Sequence, residues 1–214
     1  MRLALIADIH GNVPALENVL ADLDRERVDR IICLGDVAVG PQPVETLERL
    51  QQLGCPMIMG NWDACMLGDE PKVDGELLRL DDDTTLLAFH GSPRSFDDEI
   101  LATTPDEKLE AMLAGHDASV FAGGHTHFQM FRRHGESIVL NVGSIGQPFR
   151  RRRRGVMRVS PWAEYCVVGR EDGRLTVELR RTPIDVDLFV RTMLASGMPH
   201  ADQWADHWSP EVPA

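Results

Sequence analysis

The sequence has little of what a membrane protein, a disulfide-rich protein or a nucleic-acid-binding protein needs. No apolar run approaches the ~20 residues that a membrane-spanning helix requires. Only four cysteines occur and none forms a C-x-x-C pair, which favours reduced thiols in a cytoplasmic protein. Positive charge is scarce, with 22 Lys and Arg against 34 Asp and Glu, and the net charge of −12 argues against non-specific nucleic-acid binding. A small anionic substrate held by a local positive site stays compatible with this balance.

What the sequence does contain is ordinary for a globular domain with a buried core. Hydrophobic residues make up 43% and charged residues 26% of the 214 residues, which excludes a disordered chain. This length predicts a single domain over residues 1–214, with a C-terminal tail from about residue 199. A homo-oligomer is left open, although Trp204 and Trp208 in the tail favour packing on their own domain over a dimer contact.

Strand and helix patterns alternate up to about Met130, which indicates an α/β fold. Helical periodicity predicts helices over residues 14–26, with Asn12 as the N-cap, and over 44–53, 105–113 and 186–195. From Met130 onwards, strand follows strand. Short apolar runs typical of buried strands occupy residues 3–7, 31–34, 57–59, 86–89, 120–122 and 138–140. The first of these runs is interrupted by Asp8 and lacks a cleavage site, so it predicts a strand and not a signal peptide.

Polar residues that can bind metal follow these apolar runs. Ligands of open α/β sheets bind beyond the carboxyl ends of the strands, so we expect these side chains to meet there. Their carboxylates, amide oxygen and imidazoles suit transition-metal ions better than Ca²⁺, without choosing among Mn, Fe, Zn and Ni. They are too many for one catalytic ion, which predicts two divalent ions that share a carboxylate and clamp a phosphoryl group. The set is Asp8, His10, Asp36, Asn61, His90, His125 and His127.

Each motif alone has an ordinary structural explanation. An Asp-x-His or a Gly-Asp after a strand is often only a turn, and the His125-x-His127 pair is the strongest single signal, because neighbouring imidazoles repel when protonated. The prediction of a metal site rests on the order in which the motifs occur. They are D-x-H, G-D, G-N, H and G-H-x-H, and each is expected at the end of a strand.

This ordered set resembles the calcineurin-like metallophosphoesterase superfamily, and within it the small prokaryotic phosphodiesterases. A later loop, Asn141-Val142-Gly143-Ser144, also looks like one of the family. The resemblance implies an α/β, four-layer αββα sandwich with two mixed β-sheets. The stretches that carry it are Asp8-Ile9-His10-Gly11-Asn12, Gly35-Asp36, Gly60-Asn61-Trp62-Asp63, His90-Gly91 and Gly123-Gly124-His125-Thr126-His127.

The resemblance also implies the roles of the ligands. Asp8, His10, Asp36 and His127 would hold the first ion. Asp36, Asn61, His90 and His125 would hold the second ion, so that Asp36 bridges. A hydroxide between the ions would be the nucleophile of a metal-dependent phosphoesterase acting on a small phosphodiester or phosphomonoester. His10, Asp36 and Asn61 are the catalytic candidates.

Departures from the family pattern favour a phosphodiester substrate. Val37-Ala38-Val39 follows Gly35-Asp36, where protein serine/threonine phosphatases carry Val-Asp-Arg-Gly. Trp62 stands where a histidine would be the expected acid for the leaving group, and His10 could replace that acid only if it is not fully committed to metal. A nucleotide phosphatase, a dinucleoside polyphosphate hydrolase and a binding scaffold that has lost the chemistry are the alternatives.

Four further residues are candidates for supporting roles. We expect Asp63 to orient a ligand or to bind backbone amides. Trp62 could wall the pocket and stack on a base or an aromatic ester, and simple packing explains it equally well. In the run Arg150-Arg151-Arg152-Arg153-Arg154, Arg150 and Arg151 could contact a substrate phosphate, and a solvated loop is the alternative.

Overall fold

The computed structural model describes residues 1–68, 72–151 and 157–208. The strands are β1 (Arg2–Ile6), β2 (Arg30–Cys33), β3 (Glu76–Arg79), β4 (Thr85–Ala88), β5 (Val120–Gly123), β6 (Met130–His134), β7 (Ser137–Asn141), β8 (Phe149–Arg151), β9 (Met157–Val159), β10 (Trp162–Glu171) and β11 (Arg174–Pro183). The helices are α1 (Val13–Leu23), α2 (Pro43–Gln52), α3 (Asn61–Leu67), α4 (Asp106–Leu113), α5 (Val186–Ala195) and α6 (Ala201–Ala205).

The main strands form two mixed sheets. Sheet A has the order β11-β10-β1-β2, in which β1 and β2 are parallel and the other neighbours are antiparallel. Sheet B has the order β3-β4-β5-β7-β6, in which β4, β5 and β7 are parallel and the two edge strands are antiparallel. Strands β8 and β9 pair separately as a hairpin. Parallel strands end on the same side of their sheet, and this geometry brings the segments that follow them together.

The period-two alternation of β1 shows how the layers are built. Leu3 and Leu5 face sheet B and share a core with Leu86 and Val120. Alternate residues of β1 face the other way, towards α1 and α5. On the far side of sheet B, α4 packs with Leu109 and Met112 against the outward-facing residues of β4, β5 and β7. The order is therefore helices, sheet A, sheet B and helix, which confirms the four-layer sandwich with two mixed sheets.

Local signals explain where the helices begin. The Asn12 side chain accepts a hydrogen bond from the Ala15 N–H at 3.1 Å and caps α1, as expected. The strand predicted over residues 57–59 is wrong, because only Met57 makes a bridge, to Cys33 at the end of β2. The chain then passes through an extended Gly60 into α3, a helix that the periodicity did not predict.

The C-terminal segment packs against α5 and β9 through Trp208, whereas Trp204 is 41% exposed. Trp208 is buried and its ring contacts Phe189 of α5 at a centroid distance of 4.7 Å. Its backbone also bridges to Val159 of β9. Among the helices of the described residues, none is long and apolar enough to cross a membrane.

Candidate metal centre

Seven predicted ligand side chains lie together at the carboxyl ends of the parallel strands. Asp8 and His10 follow β1, Asp36 follows β2, His90 follows β4, and His125 and His127 follow β5. Asn61 differs, because it is the first residue of α3 and not the end of a strand. Side-chain nitrogen or oxygen atoms of all seven join one cluster through separations of 4.0 Å or less.

The backbone of this cluster is strained. Left-handed φ angles are uncommon outside glycine and cost free energy that the surrounding structure must offset. Short loop hydrogen bonds hold the distorted segments, such as the Asp8 N–H to the Gly35 carbonyl at 2.9 Å. Strain of this kind concentrates at functional sites. The candidate ligands with positive φ are Asp8 (54°), His10 (48°), Asp36 (55°), His125 (69°) and His127 (58°).

Asp8, His10 and His127 form one half of the cluster. The Nε2 atoms of His10 and His127 are 3.1 Å apart, and Asp8 Oδ1 lies 3.3 Å from His127 Nε2. The Gln147 carbonyl accepts a hydrogen bond from His127 Nδ1 at 2.7 Å, so His127 Nε2 presents a lone pair to the cluster. Asp8 Oδ1 is buried and has no hydrogen-bond partner within the described part of the chain. An orphaned carboxylate oxygen beside imidazole lone pairs is the environment that a cation fits.

Asn61, His90 and His125 form the other half. The Leu34 carbonyl accepts a hydrogen bond from His90 Nδ1 at 2.7 Å, which leaves the lone pair of His90 Nε2 directed into the cluster. That atom is 3.0 Å from Asn61 Oδ1, and His125 Nδ1 lies 3.0 Å from the same oxygen. The lone pairs of His90 Nε2 and Asn61 Oδ1 repel each other at this distance unless a proton or a metal ion lies between the two atoms.

Asp36 lies between the two halves. Its Oδ2 atom is 3.8 Å from His10 Nε2 and 3.6 Å from His90 Nε2. Its other oxygen, Oδ1, accepts a hydrogen bond from the Trp62 N–H at 2.9 Å. One oxygen of Asp36 is therefore anchored to the start of α3, and the other faces candidate ligands on both sides.

Burial and mutual proximity shift the pKa values of these groups. Burial, together with the negative charge of Asp8, raises the pKa of Asp36 to about 8. For Asp8 burial acts in the same direction, but His127, His90 and His10 outweigh it and lower its pKa to about 2. Burial and the neighbouring His127 lower the pKa of His10 to about 3. At neutral pH, the imidazole of His10 is therefore neutral and able to bind a metal ion, and Asp36 retains a proton that a cation can displace.

Asp63 anchors the loop that carries Asp36. Its carboxylate accepts hydrogen bonds from the N–H groups of Asp36 (2.7 Å), Val37 (3.0 Å), Ala38 (3.2 Å) and Gly60 (3.0 Å). A single side chain thus joins the loop after β2 to the start of α3. The adjacent Trp62 is 47% exposed.

The arginine run begins next to the cluster. The Phe149 ring at the start of β8 stacks on the His127 ring, with centroids 4.6 Å apart and planes at 22°. Arg150 and Arg151 follow Phe149 in β8. Arg152, Arg153 and Arg154 lie outside the described residues.

The loop of residues 142–148 supports the ligands through hydrogen bonds that the sequence did not predict. The resemblance of Asn141-Val142-Gly143-Ser144 to a family loop pointed to this region without giving it a role. Within this loop, the Gln147 carbonyl accepts the hydrogen bond from His127 Nδ1 that orients the imidazole. Contacts made by main-chain atoms leave no residue-type signal, so only the three-dimensional structure identifies them.

Comparison with known proteins gives four findings. Residues 1–161 match the model of the calcineurin-like phosphoesterase superfamily domain. A stretch of 69 residues, 32% of this chain, is 42% identical to an uncharacterised protein of Methanocaldococcus jannaschii, and it spans only 28% of that relative's length. A metallophosphoesterase from Sphaerobacter thermophilus has a similar fold, with a TM-score of 0.70, 24% identity and 97% of each chain covered. A hypothetical protein from Pyrococcus horikoshii gives a TM-score of 0.75 at 19% identity, over 95% of this chain and 97% of its own.

Proposed function

The chain belongs to the calcineurin-like phosphoesterase superfamily, and from that membership we propose that it hydrolyses a small phosphodiester at a centre of two divalent metal ions. Membership supports metal-dependent hydrolysis of a phosphoric ester as the activity. The proposal adds the number of ions, the residues that hold them and the class of ester.

The position of Asp36 Oδ2 carries the proposal. It lies within 3.8 Å of His10 Nε2 on one side and of His90 Nε2 on the other. In two sets, Asp8–His10–His127 and Asp8–Asp36–His90, one ligand atom from each residue lies within 4.8 Å of the others. These two sets overlap at Asp8, and Asp36 Oδ2, which lies near both His10 and His90, is the oxygen we propose as the bridge. Nitrogen together with oxygen donors suits Mn, Fe, Zn or Ni.

The division of ligands follows the two halves of the cluster. Asp8, His10, Asp36 and His127 would hold one ion. Asp36, Asn61, His90 and His125 would hold the other, with Asp36 shared. When bound, the ions would supply Lewis acidity to the phosphoryl group and a lowered pKa for water. The carbonyls of Leu34 and Gln147 keep His90 and His127 in the tautomer that presents Nε2 to the centre.

The leaving group is expected to need little protonation. The pKa of His10 lies near 3, because burial and His127 disfavour its protonated form, so His10 holds no proton to donate at neutral pH. Trp62 occupies the position where a histidine acid was expected. Esters with a leaving group of low pKa are therefore the favoured substrates. Trp62 is proposed as a wall of the substrate pocket, Arg150 and Arg151 are proposed as contacts to the substrate phosphate, and the location is proposed to be cytoplasmic.

A paired assay tests the proposal. Purified protein with Mn²⁺ should hydrolyse bis-(p-nitrophenyl) phosphate faster than p-nitrophenyl phosphate, and a chelator should abolish both reactions. If a nucleoside monophosphate or a dinucleoside polyphosphate were hydrolysed faster than the diester, that compound and not a phosphodiester would be the substrate class. Protein that binds two ions and hydrolyses no phosphoester would instead be a binding scaffold.

A further inference from the structure

The loop of residues 142–148 contacts both ends of the Asp8–His10–His127 half of the centre. Its backbone runs beside the segment after β1, where the Ile145 N–H bonds to the Ala7 carbonyl at 3.0 Å and the Gly146 N–H bonds to the Asp8 carbonyl at 2.9 Å. The approach is so close that a Cβ on Gly146 would lie 1.9 Å from the Ile9 oxygen. The loop is thus packed directly against the backbone of one candidate ligand.

The side chain of Ser144, in this loop, links the backbone of Asp8 to the second candidate ligand, His127. Ser144 is fully buried, and its hydroxyl donates to the Asp8 carbonyl at 2.8 Å. The same hydroxyl accepts a hydrogen bond from the Gln147 N–H at 2.8 Å. The Gln147 carbonyl in turn accepts from His127 Nδ1 at 2.7 Å. A continuous chain of hydrogen bonds therefore runs from the backbone of Asp8 through Ser144 to the imidazole of His127.

We propose that Ser144 is a positioning residue that sets the placement of His127 relative to Asp8, and thereby the affinity of the ion held by Asp8, His10 and His127. This inference rests on the ligand division proposed above. A hydroxyl suits the role because it donates one hydrogen bond and accepts another at the same time. Its removal would leave the half-buried Gln147 N–H without this acceptor, so the residue whose carbonyl orients His127 would lose its support.

The expected effect is confined to one half of the centre. The Asp8 carbonyl keeps the hydrogen bond from Gly146, so the backbone there stays anchored. His90 is oriented by the Leu34 carbonyl, and Asn61 contacts His90 and His125, none of which belongs to the hydrogen-bond chain through Ser144. A general loosening of the fold would weaken both ions, whereas loss of this link weakens only one.

Titration with Mn²⁺, followed by calorimetry, tests the inference. Wild-type protein should show two binding steps. Ser144→Ala should weaken one step by about 10- to 100-fold and leave the other unchanged, as expected for removal of a residue that supports a metal ligand. In the hydrolysis assay, this variant should need more Mn²⁺ for half-maximal activity but reach a wild-type kcat at saturation. Ser144→Thr, which keeps the hydroxyl, should restore the weakened step.

Ser92→Ala is the matched control. Ser92 is also fully buried, two residues after the candidate ligand His90, but its hydroxyl donates to Asp98 at 2.8 Å and not to a ligand segment. This control should bind Mn²⁺ as the wild type does. Far-UV circular dichroism and thermal unfolding in chelator check that each variant folds. Ser144→Cys, which keeps the volume and weakens both hydrogen bonds, replaces Ser144→Ala if the alanine variant does not fold.

Two results would overturn the inference: unchanged Mn²⁺ binding in Ser144→Ala, or equal weakening of both steps. The readout is metal binding, so failure of the proposed function is a separate result. Wild-type protein that binds two ions without hydrolysing any phosphoester would contradict the proposed function, and a selective loss in Ser144→Ala would still support the role of Ser144.

Discussion

Carboxylates are neutralised in opposite ways in two regions of this molecule. On sheet A and in the loop after α1, Glu26 and Glu178 pair with Arg2 and Arg180, and Arg2 Nη2 lies 2.7 Å from Glu178 Oε1. We call these four residues the arginine network. Hydrogen bonds from Arg180 lower the pKa of both glutamates. The chain therefore supplies the counter-charge itself, on partly exposed side chains.

At the candidate metal centre the chain does not supply that counter-charge. Within the described residues, the ion pairs of Asp8 and Asp36 are all with histidines, which are charged only when protonated. The two aspartates are almost completely buried. Burial without an arginine or lysine partner is unfavourable for a charged carboxylate, and a divalent cation relieves it. The arginine network is complete in itself, whereas the centre offers ligands that could hold an external ion.

Among the variants that test this difference between the two regions, Asp36→Asn is expected to have the largest effect on metal binding and activity, because it removes the carboxylate proposed to be shared by both halves of the centre. We expect loss of more metal than from a change at any unshared ligand, with kcat/KM falling by more than about 100-fold, because even residues that only support ligands cost about 10- to 100-fold. Elemental analysis measures the bound metal, and the diester assay measures kcat/KM. Equal metal loss in the control His125→Ala would contradict the bridging role.

The next largest effect is expected in the pH dependence of metal binding, which tests whether Asp36 is protonated in the metal-free centre. With a pKa of about 8, Asp36 is protonated at pH 7, and metal binding must release that proton. Mn²⁺ affinity should therefore rise about tenfold from pH 7 to pH 9 and level off above the pKa of Asp36. Calorimetry in two buffers of different ionisation enthalpy counts the released protons. Binding at pH 7 without proton release would contradict the raised pKa of Asp36.

A smaller effect, on KM, should distinguish arginines that contact the substrate from arginines that do not. If Arg150 and Arg151 contact the substrate phosphate, the double variant Arg150→Ser/Arg151→Ser should raise KM for the diester by about tenfold at low salt, with little change in kcat. Arg191→Ser, on the exposed face of α5, is the control. An unchanged KM at low salt would leave the run as a solvated loop.

The smallest effect is expected in the arginine network itself. Arg180→Gln removes the ion pairs to Glu26 and Glu178, and these partly exposed pairs contribute little to stability. We expect a slightly lower unfolding temperature, a difference that shrinks as salt is added, and unchanged Mn²⁺ binding. Weaker Mn²⁺ binding in this variant would show that the two regions are coupled.

The candidate ligands could be chosen from sequence because their signals are local. Asp8, Asp36 and His90 each follow a short apolar run, and such runs predict buried strands whatever the rest of the chain does. Asn61 was chosen by its motif, although the strand expected before it is wrong and the residue begins α3 instead. A helix of seven residues offers too little periodicity to be recognised.

Other features of the site could not be predicted because they depend on distant contacts. The left-handed φ of His127 could not be predicted from its residue type, since only a small fraction of non-glycine residues adopt such an angle. The support of His127 by the Gln147 carbonyl uses main-chain atoms that every residue has. The role proposed for Ser144 depends on its contact with Asp8, 136 positions earlier in the chain.

The sequence alone determined which atoms were available to bind a metal ion and that short buried strands would carry most of them, because side-chain chemistry and hydrophobic periodicity are written residue by residue. Only the tertiary structure decided which of those atoms meet, which nitrogen of His90 and His127 faces the centre, and which oxygen of Asp36 is free to be shared. These choices depend on how β1, β5 and the loop of residues 142–148 pack against one another, and that packing is a property of the whole fold.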